Sequence, residues 1–339
     1  MRIATKIHLI VLGLTLSLVA TIVSAQTTTV IKFSHVAPSD TPKGQAALRF
    51  KELTEQASRR RVRVDVYPNN QLYKESDELE ALQLGAVQMV APSLAKLAQF
   101  GVQDFEIFDL PYLFANKDAV SRVTEGAIGK SMLRKLESKG MIGLAYWNNG
   151  FKIMSSNKPL KMPADFIGQR MRIHSSPVLE DQMEALGAIP QMLDGNEIYF
   201  ALHSRIVDGV ESSPVNFYAK KLYEVQSHVT VSNHGYLGNA VIVNKKFWDS
   251  LPSDLRKVIE DAMREATVYG NNLAAKENDA ALEAIKKNKK VTVHFLTEKE
   301  NAAWRQALQP VRKQLEGRVG KAIVMAATKE VEARHLSER

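Results

Sequence analysis

Apolar residues recur along this chain in two rhythms, a period of two in short runs and a period near 3.6 in longer ones. Val30 to Val36 reads as a first strand. Pro42-Lys43-Gly44 then opens a helix whose apolar stripe is Ala46, Phe50, Leu53 and Ala57. Val62, Val64 and Val66 alternate as a strand that stops at Tyr67-Pro68-Asn69-Asn70. A second helix carries Leu79, Leu82 and Leu84 and ends at Gly85, and Val87 to Ala91 is a short buried strand entering a Pro92-Ser93 loop. This β-α-β-α-β opening predicts a largely parallel sheet covered by helices.

The same rhythms continue. Met141 to Trp147 predicts a strand, Asn148-Asn149-Gly150 a turn, and Phe151 to Ser155 a second strand. Strands near Met171, Ala188 and Val207 alternate with helices, and His228 to Ser232 and Asn239 to Asn244 are two more. From Ser253 a helical pattern reaches about Asn288, interrupted only by Gly270. It is one helix spanning two domains, or two helices broken at Gly270-Asn271-Asn272. Val291 to Phe295 is a final strand, and Thr297 with Glu300 forms a capping box for the last helix. Without repeats or a low-complexity linker, two domains are expected, joined by several crossing strands.

The first residues have another character. Arg2 and Lys6 precede an uncharged run from Leu9 to Val23, and Val23-Ser24-Ala25 offers small residues for cleavage before Gln26. A run of about 15 residues is short for a membrane span, so a cleaved export signal is expected over an uncleaved anchor. The chain has no cysteine, which excludes disulfides, zinc-thiolate sites and cysteine nucleophiles. Its formal net charge is +8. The densest basic run, Arg59-Arg60-Arg61 with Arg63, falls at a helix end, where cations complement the dipole, and no aromatic residues interleave with it as in nucleic-acid sites.

Local signals for catalysis are absent. The eight histidines form no HxH or HExxH pair, and no G-x-S-x-G, Walker or G-x-G-x-x-G motif occurs. Glu75, Asp77, Glu78 and Glu80 read as solvated polar faces. The informative stretch is Gly168-Gln169-Arg170-Met171-Arg172-Ile173, an arginine on a short apolar strand after a glycine turn. A buried guanidinium requires a partner, and its planar fork fits a carboxylate. That partner is a small anion or an internal carboxylate. Arg170 alternates to the opposite face and reads as solvated.

The segments FSHVAPSDTPKG, DVYPNNQLYKESDELEALQLGAVQM, FDLPYLF, AYWNNGFK, GQRMRIHSS, ALGAIP, VDGVESSP and SNHGYLGNAVIVNKKFW together resemble the substrate-binding proteins of TRAP transporters, the DctP-type C4-dicarboxylate group. The resemblance implies an α/β periplasmic-binding fold of two lobes around a ligand cleft, with a long helix crossing both. On this chain it implies a signal peptide over 1–25, lobe I over 26–149 with about 238–277, lobe II over 150–237 with about 278–325, and a tail over 326–339. It also implies a monomeric, non-enzymatic, cofactor-free periplasmic protein that delivers a small organic dianion to a sodium-coupled membrane permease, with no nucleic-acid partner.

Matched to the family, Arg172 is the ligand-carboxylate arginine and Lys152 a second cation, against the plainer reading of a surface lysine at a strand start. Asn149 offers an amide. Ser93 is a neutral hydroxyl where sialic-acid-binding relatives carry a glutamate, and Ser212 is a polar donor. Lys43, His35, Trp147 and Tyr236 follow by cleft position, the two aromatics being equally readable as packing groups. One departure stands out, because Gly195 occupies a place where relatives commonly carry an aromatic residue, with Asp194 beside it. The expected ligand is succinate, fumarate or malate. The alternatives are a keto, aromatic or sugar acid within the family, a secreted enzyme, or a protein presenting ligand to a sensor.

Overall fold

The computed structural model describes residues 28–332; the expected export signal at 1–25 lies outside them. In chain order the elements are β1 (Thr29–Ser34), α1 (Pro42–Ala57), β2 (Val62–Tyr67), α2 (Glu78–Gln83), β3 (Met89–Val90), α3 (Leu94–Leu97), α4 (Lys117–Glu125), α5 (Ala127–Lys135), β4 (Met141–Phe151) and β5 (Ile153–Ser156). There follow β6 (Arg170–Ile173), α6 (Pro177–Ala185), β7 (Ile189–Met192), α7 (Ile198–His203), β8 (Gly209–Ser212), α8 (Pro214–Ala219), β9 (His228–Val231), β10 (Tyr236–Asn244) and α9 (Lys245–Ser250). The chain closes with α10 (Ser253–Lys287), β11 (Thr292–Phe295), α11 (Glu298–Ala307), α12 (Gln309–Val319) and α13 (Lys321–Glu332).

These strands build two sheets, ordered β2-β1-β3-β10-β4 and β11-β9-β5-β8-β6-β7. The opening strands are parallel as expected, but β10 runs antiparallel to both β3 and β4. The second sheet is likewise mixed, with β5 antiparallel to β8 and β9. One core packs the first sheet against α1 and the front half of α10, through Phe33, Phe50, Ile259 and Met263. A second core covers the other sheet with Leu202, Phe217 and Ile285. The largest core touches both sheets, joining Tyr146 and Ile242 to Met171 and Ile173.

Asn148-Asn149-Gly150 does not turn. β4 runs through it to Phe151, and one residue later β5 enters the second sheet. The backbone through this stretch is instead held by side chains of α10, because Asn271 Oδ1 accepts from the Asn148 backbone amide at 2.8 Å and Asn278 Nδ2 donates to the Asn149 carbonyl at 2.7 Å. The return crossing, β9 to β10, lies alongside, with the Lys152 amide donating to the Gly235 carbonyl at 2.9 Å. α10 is the third crossing, unbroken over 35 residues. Gly270 is a contact point and not a break: a Cβ there would stand 2.6 Å from the Ala46 Cβ on α1, so a bare backbone lets the two helices meet.

Two further expectations need amendment. The capping box holds, with Thr297 accepting from the Glu300 amide, but it opens the first of three terminal helices. Past residue 325, where a tail was expected, α13 continues to Glu332 and buries Ala327. After α1, Arg59 and Arg60 take left-handed backbone (φ 52° and 62°) and Arg61 pairs with Asp254 at 2.6 Å, which places the basic run at a helix end.

Candidate functional site

Between the sheets lies a small cavity of about 60 Å³. From the side of the first sheet come Lys43 in the first turn of α1, Ser93 before α3 and Asn239 of β10; from the other side come His174 after β6, Gly195 between β7 and α7, and Lys220 after α8. Asn149 of the crossing strand β4 completes the wall. Each is held by local structure. Thr41 caps α1 through the Gly44 amide, which fixes the turn carrying Lys43. Ser93 and Asn239 meet in an antiparallel bridge. Ser213 caps α8 and donates to Asn149 Oδ1 at 2.7 Å, leaving the Asn149 amide nitrogen as its donor end.

Beneath this wall is a cluster of buried charge. Glu75 precedes α2 and is 4% exposed. It lies 3.2 Å from His174 Nδ1, accepts from the Gly195 amide at 3.1 Å, and stands 3.8 Å from Arg172 Nη2. Burial pushes its carboxyl up, yet His174, Arg172 and Lys96 hold it well below the usual carboxylate range. Glu78, fully buried, has no hydrogen-bond partner for either oxygen among the described residues, and burial raises its pKa against the pull of Lys43. The expectation that these two carboxylates are solvated is overturned. Glu78 shares a face of α2 with Leu79 and Leu82, which is the buried face; Asp77 and Glu80 are exposed as expected.

The sequence candidates divide. Lys43, Ser93 and Asn149 line the cavity. Arg172 lines an adjoining hollow that shares Glu75 and His174 with it. Its Nε and Nη2 both donate to the Leu193 carbonyl, at 2.9 and 2.6 Å, so a forked carboxylate contact is left to the Nη1–Nη2 edge. Arg170 faces away as expected but is paired, its Nε and Nη2 meeting both oxygens of Asp208.

The other five candidates line neither the cavity nor the Arg172 hollow. Lys152 is fully buried and bonds Glu211 Oε1 at 3.0 Å, with Asp109 Oδ1 at 3.7 Å. It is neither a surface lysine nor a cleft cation, because its charge is matched inside the protein. Around it, Glu211 Oε2 accepts from Gln182 at 3.2 Å and lies 3.4 Å from His234 Nε2, while Ser176 donates to Asp109. Burial alone would raise the Glu211 carboxyl, but Lys152 and His234 hold it below its usual range; burial lifts Asp109 to about 6 against Lys152. Ser212 is buried on β8 opposite Ile153. His35 is buried, with no partner for either ring nitrogen among the described residues, and burial beside Lys43 lowers its pKa to about 3, keeping it neutral. Trp147 packs on Phe33 and donates to Thr267. Tyr236 lines a larger hollow of about 590 Å³ beside β4 and α10, its hydroxyl bonded to Asn148.

Glu75, Glu78, His174 and Lys220 escaped the sequence reading. Only the 3.6 periodicity placing Glu78 with Leu79 and Leu82 could have flagged one of them. Among the described residues no group of acids and histidines could hold a metal ion, and no helix is long and apolar enough to cross a membrane.

Residues 33–318 match the family of bacterial extracellular solute-binding proteins, family 7. The chain belongs to this family. It is 57% identical over 304 residues to the C4-dicarboxylate-binding periplasmic protein DctP of Rhodobacter capsulatus, an overlap of 89% of this chain and 91% of that one. Its fold is similar to a TRAP periplasmic solute-binding protein of Shewanella oneidensis solved with bound succinate (TM-score 0.87, 42% identity, 89% of this chain and 99% of that one). It is also similar to one from Pseudomonas aeruginosa with bound L-malate (TM-score 0.82, 38% identity, 84% and 99%). The chain is thus a TRAP-type solute-binding protein, with two α/β lobes and a long helix spanning them, and not an enzyme.

Proposed function

We propose that this family 7 solute-binding protein captures a C4-dicarboxylate (succinate, fumarate or malate) in the periplasm, after export by its N-terminal signal, and delivers it to a TRAP membrane permease. The observation that carries the reading is a small cavity faced by half-buried cations from both sides, Lys43 on one and Lys220 on the other, with the buried Arg172 adjoining. A dianion touching both sides stabilises the closed arrangement by the difference in its contacts between closed and open states. The cavity's 60 Å³ is room for roughly four to six waters at ~10–15 Å³ each, which suits a compact diacid better than a sugar acid. The names of the relatives point the same way.

The test is thermal unfolding of the exported chain against a panel of organic acids, followed by calorimetry. A ligand that binds only the folded protein adds about 2.7 kcal/mol at a hundredfold excess over Kd. Succinate, fumarate or malate should give this rise and larger monoacids should not. Arg172→Ala should abolish measurable binding while the protein still folds. Unchanged affinity in that variant, or a response confined to a larger acid, would overturn the assignment.

A further inference from the structure

Lys220 reaches the cavity through a gap in the wall. Its ammonium donates to the Gly195 carbonyl at 2.5 Å, and among the described residues no carboxylate lies within the 4.0 Å of an ion pair. An ammonium has three donors, so one carbonyl leaves this half-buried cation with donors free to receive an anion that enters the cavity. What admits it is the missing side chain at 195. A Cβ there would stand 2.9 Å from Lys220 Nζ and 3.3 Å from Glu75 Oε2, inside contact distance of the ammonium. Glu75 does not neutralise Lys220 directly, since it is held by His174 and the Gly195 amide. Lys43, on the opposite wall, donates to the Ala91 carbonyl at 3.1 Å.

We propose that Gly195 and Lys220 form a matched pair that sets the ligand class: the bare backbone at 195 lets the Lys220 ammonium into the cavity, where it receives one carboxylate of a diacid and so selects diacids over monoacids of the same length. This rests on the dicarboxylate reading and assigns that site's discrimination to two residues. The pair works by placement. Removing the charge and merely displacing it should have related effects, because a flexible lysine end can yield to an added methyl group without unfolding the protein.

The experiment measures Kd by calorimetry for succinate and for butyrate in the wild type, Lys220→Met, Lys220→Arg and Gly195→Ala, with the unliganded melting midpoint as a check on folding. In Lys220→Met succinate affinity should fall about a hundredfold and butyrate affinity only a few-fold, collapsing the ratio between them. Gly195→Ala should lower succinate affinity about tenfold, and Lys220→Arg should retain most of the preference. A succinate-to-butyrate ratio in Lys220→Met equal to that of the wild type overturns the pair while leaving the dicarboxylate assignment intact. A wild type that binds no diacid overturns both.

Discussion

Two groups of buried charge occupy this molecule, one sealed and one open. Lys152 has Glu211 at 3.0 Å and Asp109 at 3.7 Å, and Gln182, Ser176 and His234 complete the set. Beside the cavity, Glu75 is well bonded, but Glu78 has no partner among the described residues, while Lys43 and Lys220 rest on single carbonyls. Burial alone therefore does not mark a binding cation. A lysine already matched by two carboxylates belongs to the protein's internal charge balance, and one resting on a carbonyl is available to a ligand.

The contrast breaks most sharply at Lys152. Lys152→Met leaves Glu211 buried and uncompensated, so urea unfolding should register a loss of about 3–5 kcal/mol, and adding Glu211→Gln should restore much of it. A variant of unchanged stability but lost ligand affinity would move Lys152 back into the site. Glu78 gives an effect spread over several pH units, with a definite sign. Its pKa is raised by burial from 4.5 to about 8, so the folded state holds the proton more tightly than the unfolded one. That stabilisation is full below about pH 4.5 and declines as pH rises to about 8, by on the order of 1 kcal/mol per pH unit at most. Glu78→Gln should flatten the stability profile between pH 5 and 8, and an unaltered slope would show that the acid ionises freely.

Lys220 should leave a trace in affinity. Burial, with Arg172 and Lys43 nearby and Glu75 opposing, lowers its pKa to about 8. Above that pH the ammonium is lost, so dianion affinity should decline by at most about tenfold per pH unit. Lys220→Met should decline less steeply, and a slope equal to the wild type's would place the titration elsewhere. The smallest change is expected at Arg170, whose pair with Asp208 is half exposed. Arg170→Ala should leave the melting midpoint and succinate affinity almost unmoved, in contrast with Arg172 two residues away.

The fold was largely legible because the apolar spacing that predicts a helix or strand is the spacing that buries it, as with Ala46 and Phe50 on α1 or Val62 and Val64 on β2. Legibility failed where a local signal was answered from far along the chain. Asn148 and Asn149 look like a turn until Asn271 and Asn278 of α10 are set against them. Lys152 looks like a ligand cation until Glu211, 59 residues on, is found at its ammonium. Lys220 has the sequence of an ordinary surface lysine, and only the folded position of Gly195 gives its end a place to go.

The two strand crossings lie side by side, tied where the Lys152 amide meets the Gly235 carbonyl, and the β4–β10 ladder runs up to that point. A two-stranded ribbon of this kind bends and twists readily, whereas sliding one strand along the other would break its ladder bonds in sequence. A joint built this way would flex as a leaf spring and not slide as a rail. On such a joint Lys43 and Lys220 would approach along an arc, so a ligand of the right charge but the wrong span would halt the swing before both ammonium groups were engaged.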